Sequence, residues 1–168
     1  MLFSKKQKSF GVVNKYKKMN QISDKELLEL YNKNENFTSL YEMKCVALNT
    51  EQGTAEFLFN IDKKFCNPTG DVQGGFLSGM IDDTMALAFI MKTYFTKRPP
   101  TIEMKTNFLY PTKPGRVHGF GKIVKFGKNL VFLEGKLVQN ERTVVTATST
   151  GVIVDMPGAR TSQLTTKK

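Results

Sequence analysis

The sequence predicts an α+β chain in which an antiparallel sheet wraps around one long central helix. Three observations predict it. From Gly75 to about Phe95 apolar residues fall on almost every side of a helix, and a helix that is apolar nearly all round is buried on most sides. Short stretches of strand-like alternation flank it, separated by turn formers. Their order is a short helix, two strands, the long helix, then four strands, so the sheet must cover the long helix.

Taken in order, Ser23-Asp-Lys-Glu26 is a capping-box pattern followed by Leu27, Leu28, Leu30 and Tyr31. It predicts a short amphipathic helix ending between Lys33 and Asn36. Strands are expected over Tyr41–Leu48 and Thr54–Asn60, joined by the turn Asn49-Thr-Glu-Gln-Gly53. Residues 62–74 are rich in turn formers and are expected to be irregular. The long helix is expected to end at Lys97-Arg-Pro-Pro100, since proline cannot continue it. Four strands follow, Thr101–Tyr110, Val117–Phe126, Leu130–Gln139 and Thr143–Val154, each expected to neighbour the next across a short loop. This gives a domain over residues 23–155, between a basic, flexible tail (1–22) and a polar tail (156–168). The sheet edge and the apolar surface left over call for a partner subunit.

Composition narrows the function. A length of 168 residues fits one domain. The apolar stretch near Met85–Met91 is bounded by Asp82, Asp83 and Lys92, so no membrane span is expected. Cys45 and Cys66 are the only cysteines and form no C-x-x-C pair, which suits a reducing cytoplasm. His118 is the only histidine. That excludes His-rich zinc sites and metalloprotease motifs, and no metal site is expected. His118 sits in the strand-like stretch Gly115–Gly121, where a half-exposed strand histidine is the ordinary reading. The net charge is +10, but Lys5, Lys6, Lys8, Lys15, Lys17 and Lys18 carry six of those charges, leaving +4 for the rest of the chain. The only arginines are Arg98, Arg116, Arg142 and Arg160. Sequence-specific DNA readers lean on arginine for bidentate base contacts, so no nucleic-acid partner is expected. An anionic small molecule, or plain solvation, explains the lysines. The N-terminus has no apolar core of 7–15 residues, so a solvated tail is expected rather than a signal peptide, with a transit peptide as the alternative.

The chemistry concentrates between Asn67 and Asp83. Gly74 and Gly75 open the long helix, so their N–H groups lack intrahelical acceptors and stand at its positive end. Such donors can hold a developing oxyanion; glycines needed only for backbone angles are the plainer alternative. Gly75, Ser78, Gly79, Asp82, Met85 and Ala86 share one face by their three- and four-residue spacing. Asp83 lies about 100° further round, where a carboxylate is costly unless paired. It is either a tuned acid or a solvated one at an interface. Met80, Met85, Phe89 and Phe108 are candidates for lining a substrate channel.

The spacing Asn67-x6-Gly74-Gly75-x6-Asp82 resembles the signature of hotdog-fold acyl-CoA thioesterases of the phenylacetate-degradation type, within the 4-hydroxybenzoyl-CoA thioesterase superfamily. Thr101-Ile-Glu-Met-Lys-Thr-Asn-Phe-Leu-Tyr-Pro111, Lys125-Phe-Gly-Lys128 and Thr143–Gly151 resemble later strands of the same family, and the likeness covers about Tyr41 to Val154. It implies a hotdog fold and hydrolysis of an acyl-CoA thioester. Coenzyme A would be part of the substrate, with no separate cofactor. By position, Asn67 and Gly74 or Gly75 would polarise the carbonyl, and Asp82 would act as base or nucleophile. Thr101, given with the acid by the neighbouring subunit of a homodimer or a dimer-of-dimers tetramer, would position water. Asp83 is an acid that the pattern does not require. Gln73 stands where the family commonly has histidine; it can hydrogen-bond but cannot act as an imidazole base. Arg98, Lys113, Lys125 and Lys128 are candidates for the phosphates of coenzyme A. A non-catalytic module that holds acyl-CoA is the alternative, with a dehydratase or isomerase of the same fold behind it.

Overall fold

The computed structural model describes residues 22–33 and 40–157. The tail readings for residues 1–21 and 158–168, and the last residues of the first predicted helix, lie outside them. In chain order the elements are α1 (Asp24–Asn32), β1 (Lys44–Asn49), β2 (Thr54–Ile61), α2 (Gly74–Lys92), β3 (Lys97–Arg98), β4 (Thr101–Phe108), β5 (Gly115–Phe126), β6 (Leu130–Gln139), β7 (Arg142–Val152) and β8 (Val154–Asp155). A single 3₁₀ turn, Lys63–Phe65, interrupts the irregular stretch before α2.

Six strands form one antiparallel sheet in the order β1-β2-β5-β6-β7-β4, and β3 pairs with β8 in a small ribbon. The predicted architecture is therefore present: a six-stranded antiparallel sheet around one central helix. Val117, Val131, Leu133, Leu137, Val145 and Ala147 point inward from the sheet against Met80, Ile81, Met85, Ala88 and Phe89 of α2, all nearly or fully buried. The helix comes so close at one strand pair that glycine is required there. A Cβ on Gly121 would collide with the Thr84 carbonyl, and one on Gly135 would lie 2.8 Å from the Met85 side chain. By length and composition alone α2 is apolar enough to cross a membrane, with a mean hydropathy of 1.2 over its most apolar 18 residues. Here that apolarity is spent on the sheet that covers it.

Two expectations need correction. The helix stops at Lys92 rather than running to Phe95, because Tyr94 and Phe95 adopt left-handed backbone (φ 51° and 56°). Their N–H groups return to Met91 and Ile90 carbonyls at 2.9 Å, which closes the helix without a glycine. The strand after α2 also does not neighbour the next one. β4 pairs with β7 at the far edge, and the segment 109–114 carries the chain past the ends of β7 and β6 to β5. Leu109 N–H donates to the Val144 carbonyl at 2.8 Å, and Gln139 grips Lys113 from both sides. Pro111 and Pro114 stiffen this segment and keep it from folding back as a hairpin.

The two edges differ. β1 is covered by α1, which is capped by Ser23 as predicted. Asp24 accepts from the Thr50 hydroxyl at 2.6 Å, and the Asn32 amide donates to the Cys45 carbonyl at 2.8 Å. Among the described residues nothing covers the outer edge of β4: every residue along it is at least partly exposed, with Ile102 58% and Phe108 53% accessible.

Candidate active site

Asn67 begins a closed loop. Its side-chain Oδ1 accepts from Thr69 N–H (3.0 Å), the Thr69 hydroxyl (2.6 Å) and Asp71 N–H (3.2 Å), while its own N–H donates to the Asp71 carbonyl at 2.7 Å. Two of the three donors to the side chain are backbone N–H groups, which only an oxygen can accept, so the amide cannot be flipped. The Nδ2 donor is consequently turned away from the loop.

The same loop delivers the start of α2. Gln73 is the N-cap, with no side-chain capping bond. Its N–H donates to the Phe65 carbonyl at 2.8 Å, and its carbonyl takes Phe76 N–H (2.9 Å) and Leu77 N–H (3.3 Å). Gly74 and Gly75 N–H are left without an acceptor among the described residues. A Cβ on Gly75 would meet nothing within 4 Å, whereas one on Gly74 would lie 3.2 Å from the Phe108 ring. Gly75 thus opens onto free space and Gly74 is shielded by the end of β4.

Two turns along α2, the Thr101 hydroxyl donates to Asp82 Oδ1 at 3.0 Å. This joins the two residues that the resemblance paired. Asp83 differs sharply from its neighbour. Its Oδ2 is buried without a partner, and burial, with the nearby Asp82 charge, pushes its pKa from 3.8 to about 6. Tyr41 packs on this side: its hydroxyl lies 3.5 Å from the Cβ position of Gly79, one turn before Asp83. Burial and the Asp83 charge raise the Tyr41 pKa in turn.

The predicted residues therefore fall into two groups. Asn67, Gln73, Gly74 and Gly75 sit at the Phe108 end of β4, and Asp82 sits with Thr101 at its other end. Seven residues of helix separate Gly75 from Asp82, about 10 Å, so one chain does not bring them to a single carbonyl. Arg98, Lys125 and Lys128 are exposed near the Thr101 end. There Ile153 N–H donates to the Asn129 carbonyl at 2.8 Å, and Val152 N–H to the Pro100 carbonyl at 3.0 Å. Lys113 is not free for a phosphate: its Nζ lies 2.6 Å from Asp71 Oδ1. Met80, Met85 and Phe89 are core residues with 0% exposure and line no open tunnel; only Phe108 of that set is accessible.

Sequence reasoning missed the loop organisers Thr69, Asp71 and Lys113. The spacing Asn67-x-Thr69-x-Asp71 is a signal for an Asx-type turn, but nothing local points to Lys113. His118 is exposed and stacks on Phe120, with ring centroids 6.5 Å apart, away from both groups. Both cysteines are free, and burial pushes the Cys45 thiol up to about 12. A groove of about 560 Å³ crosses the outer sheet face between Phe120, Lys122, Glu134 and Lys136, and none of the site residues lines it.

An antiparallel sheet around a single helix, with open N–H groups at the helix start and a carboxylate two turns on, defines the hotdog class. Residues 69–146 match the family described as the thioesterase superfamily. Solved structures agree in fold. A candidate thioesterase related to phenylacetic acid degradation from Ralstonia eutropha is 27% identical, with a TM-score of 0.69 over 75% of this chain and 96% of that one. A thioesterase from Haemophilus influenzae is 16% identical, with a TM-score of 0.68 over 82% and 94%. A variant of the phenylacetic acid degradation protein PaaI from Thermus thermophilus is 19% identical, with a TM-score of 0.62 over 70% and 98%. No curated protein matches the sequence. The chain is thus similar to the thioesterase superfamily over residues 69–146 and to solved thioesterases in fold, and thioester hydrolysis is the chemistry these likenesses support.

Proposed function

We propose that the chain hydrolyses an acyl-CoA thioester to a carboxylic acid and free coenzyme A in the cytoplasm, as a homodimer or a dimer of such dimers. The observation that carries this reading is the Thr101–Asp82 hydrogen bond of 3.0 Å on the helix whose first N–H groups stand open. One copy supplies Asn67 Nδ2 and Gly74 or Gly75 N–H to the thioester carbonyl. The other copy supplies Asp82, aimed by the Thr101 hydroxyl. The carbonyl donors stabilise charge as it develops on oxygen. Asp82 takes a proton from water as the water oxygen bonds to the acyl carbon. The C–S bond then breaks, and the thiolate leaves and takes up a proton. Direct attack by the Asp82 carboxylate, with later hydrolysis of the anhydride, uses the same geometry. Gln73 and Asp83 contact the bound substrate, and Arg98, Lys125 and Lys128 attract its phosphates as exposed cations. No metal and no cofactor takes part in the scheme.

The test is thiol release over short, long and aromatic acyl-CoAs. Asp82→Asn should lose about 10²- to 10³-fold in kcat while keeping its fold by circular dichroism. Turnover equal to that of the parent would remove Asp82 from the mechanism. Calorimetric binding of acyl-CoA with no thiol release from the parent would instead make the chain a binding module.

A further inference from the structure

We infer that Lys113 is a positioning residue, which holds the Asn67 amide in its donor orientation through Asp71; this rests on the carbonyl-polarising reading of Asn67 above. Lys113 Nζ lies 2.6 Å from Asp71 Oδ1, and the acid's side chain is only 23% exposed. That oxygen is buried, and apart from the ammonium no donor reaches it. The lysine is itself fixed: Gln139 Oε1 accepts from Lys113 N–H at 2.9 Å, and Gln139 Nε2 donates to its carbonyl at 2.8 Å. Val72 N–H donates to the Thr112 carbonyl at 2.8 Å, so loop and segment are joined at adjacent residues on both sides.

The Thr69 hydroxyl shows what this clasp decides. It stands between two acceptors, Asn67 Oδ1 at 2.6 Å and Asp71 Oδ2 at 3.4 Å. With Lys113 compensating the Asp71 charge, the hydroxyl proton goes to Asn67. Without Lys113, a buried carboxylate oxygen is left unpaired, and it must recruit another donor or move into water. The Thr69 hydroxyl, 3.4 Å from the other oxygen of the same carboxylate, is the donor at hand once that carboxylate turns. Its transfer to Asp71, together with any tilt of Asp71 N–H away from Asn67 (3.2 Å, the longest of the three bonds), leaves the amide held by Thr69 N–H alone and able to swing about that one bond. Nδ2 then loses its aim. Leaving this half-buried carboxylate unpaired also costs stability, so turnover is read below the unfolding transition of each variant.

The experiment compares the full-length parent with Lys113→Met, Lys113→Arg, Asn67→Ala and the double Asn67→Ala/Lys113→Met. Thiol release is followed on an acyl-CoA and on the matching acyl-pantetheine, which lacks the nucleotide phosphates. Lys113→Met should lower kcat about tenfold on both substrates, part of the loss of a full oxyanion donor. Lys113→Arg should recover most of it, and the double variant should be no slower than Asn67→Ala alone. A loss confined to acyl-CoA would make Lys113 a phosphate ligand, and additive losses would show that it acts elsewhere; either overturns the inference. The Asn67 side-chain amide resonances give a reading free of turnover. They should move in Lys113→Met, and unmoved resonances overturn the clasp. Moved resonances with a fully active Asn67→Ala would leave the clasp standing and sink the carbonyl role.

Discussion

Replacing Asp83 by asparagine should stabilise the protein, by an amount set by pH. Asp83 has a buried, unpartnered Oδ2, and burial and Asp82 push its pKa from 3.8 to about 6. A carboxyl held at a higher pKa when folded binds its proton more tightly in the native state than in the unfolded chain. Its favourable contribution is therefore full below about pH 4 and is lost as pH rises through about 6. A difference of about two pKa units corresponds to roughly 3 kcal/mol. Asparagine keeps the volume and removes the ionisation, so no cavity term enters. Urea denaturation of the parent and Asp83→Asn at pH 4, 5, 6 and 7.5, at one protomer concentration, measures the difference. The stability gap should widen by roughly 2–3 kcal/mol between pH 4 and pH 7.5 and stay flat above. A gap that does not change with pH would mean that Asp83 ionises as freely in the fold as in the unfolded chain, and the reasoning from burial would fail. Thiol release by the same variant should keep a kcat near the parent's, because the bond-making role is placed on Asp82, and any loss should fall on KM through the substrate contact proposed for Asp83.

Two further outcomes concern the split site. Thr101→Ala should lower kcat about tenfold through loss of one hydrogen bond to a charged group, while Thr101→Ser, which keeps the hydroxyl, should stay close to the parent in the same assay. Mixing Asn67→Ala with Asp82→Asn protomers, each nearly inactive alone, should restore about a quarter of parental activity, since half the dimers are mixed and each holds one intact site; no recovery after verified exchange would place the whole site within one copy.

Much of this was legible because local chemistry and the fold agree. The apolar circumference of residues 75–91 could only be a core helix, and the turn formers at Asn49–Gly53 and the short loops expected between the last strands marked hairpins that the structure contains. The end of α2 was not legible, since it depends on two left-handed aromatic residues that no propensity singles out. Nor was the place of β4: its alternation reads the same beside β5 or beside β7, and only the tie of residues 109–113 to Val144 and Gln139 decides it. At the site, the spacing of Asn67, the glycines and Asp82 could be read from the residues, and the pairing of Asp82 with Thr101 through the family resemblance. Lys113 was misread because an exposed lysine looks alike in sequence whether it waits for a phosphate or holds a neighbour. Met80, Met85 and Phe89 were misread because core and tunnel walls share one composition.

On the proposed dimer, the open edge and the divided site have one explanation. β4 carries Thr101 at one end, bonded to Asp82, and Phe108 at the other, over Gly74. An unpaired edge strand exposing Ile102 and Phe108 is costly to leave in water and ready to pair with another chain. If two copies pair through β4 in antiparallel fashion about a two-fold axis, the Thr101 end of each meets the Phe108 end of the other. Each Asp82 is thereby brought toward the open Gly75 of its partner, and two sites form at once. The roughly 10 Å that separates the two groups along one helix is then no defect of the site. It is the spacing that lets a rigid helix serve one site with its first turn and a second site with its third, while the edge strand supplies both the association and the register.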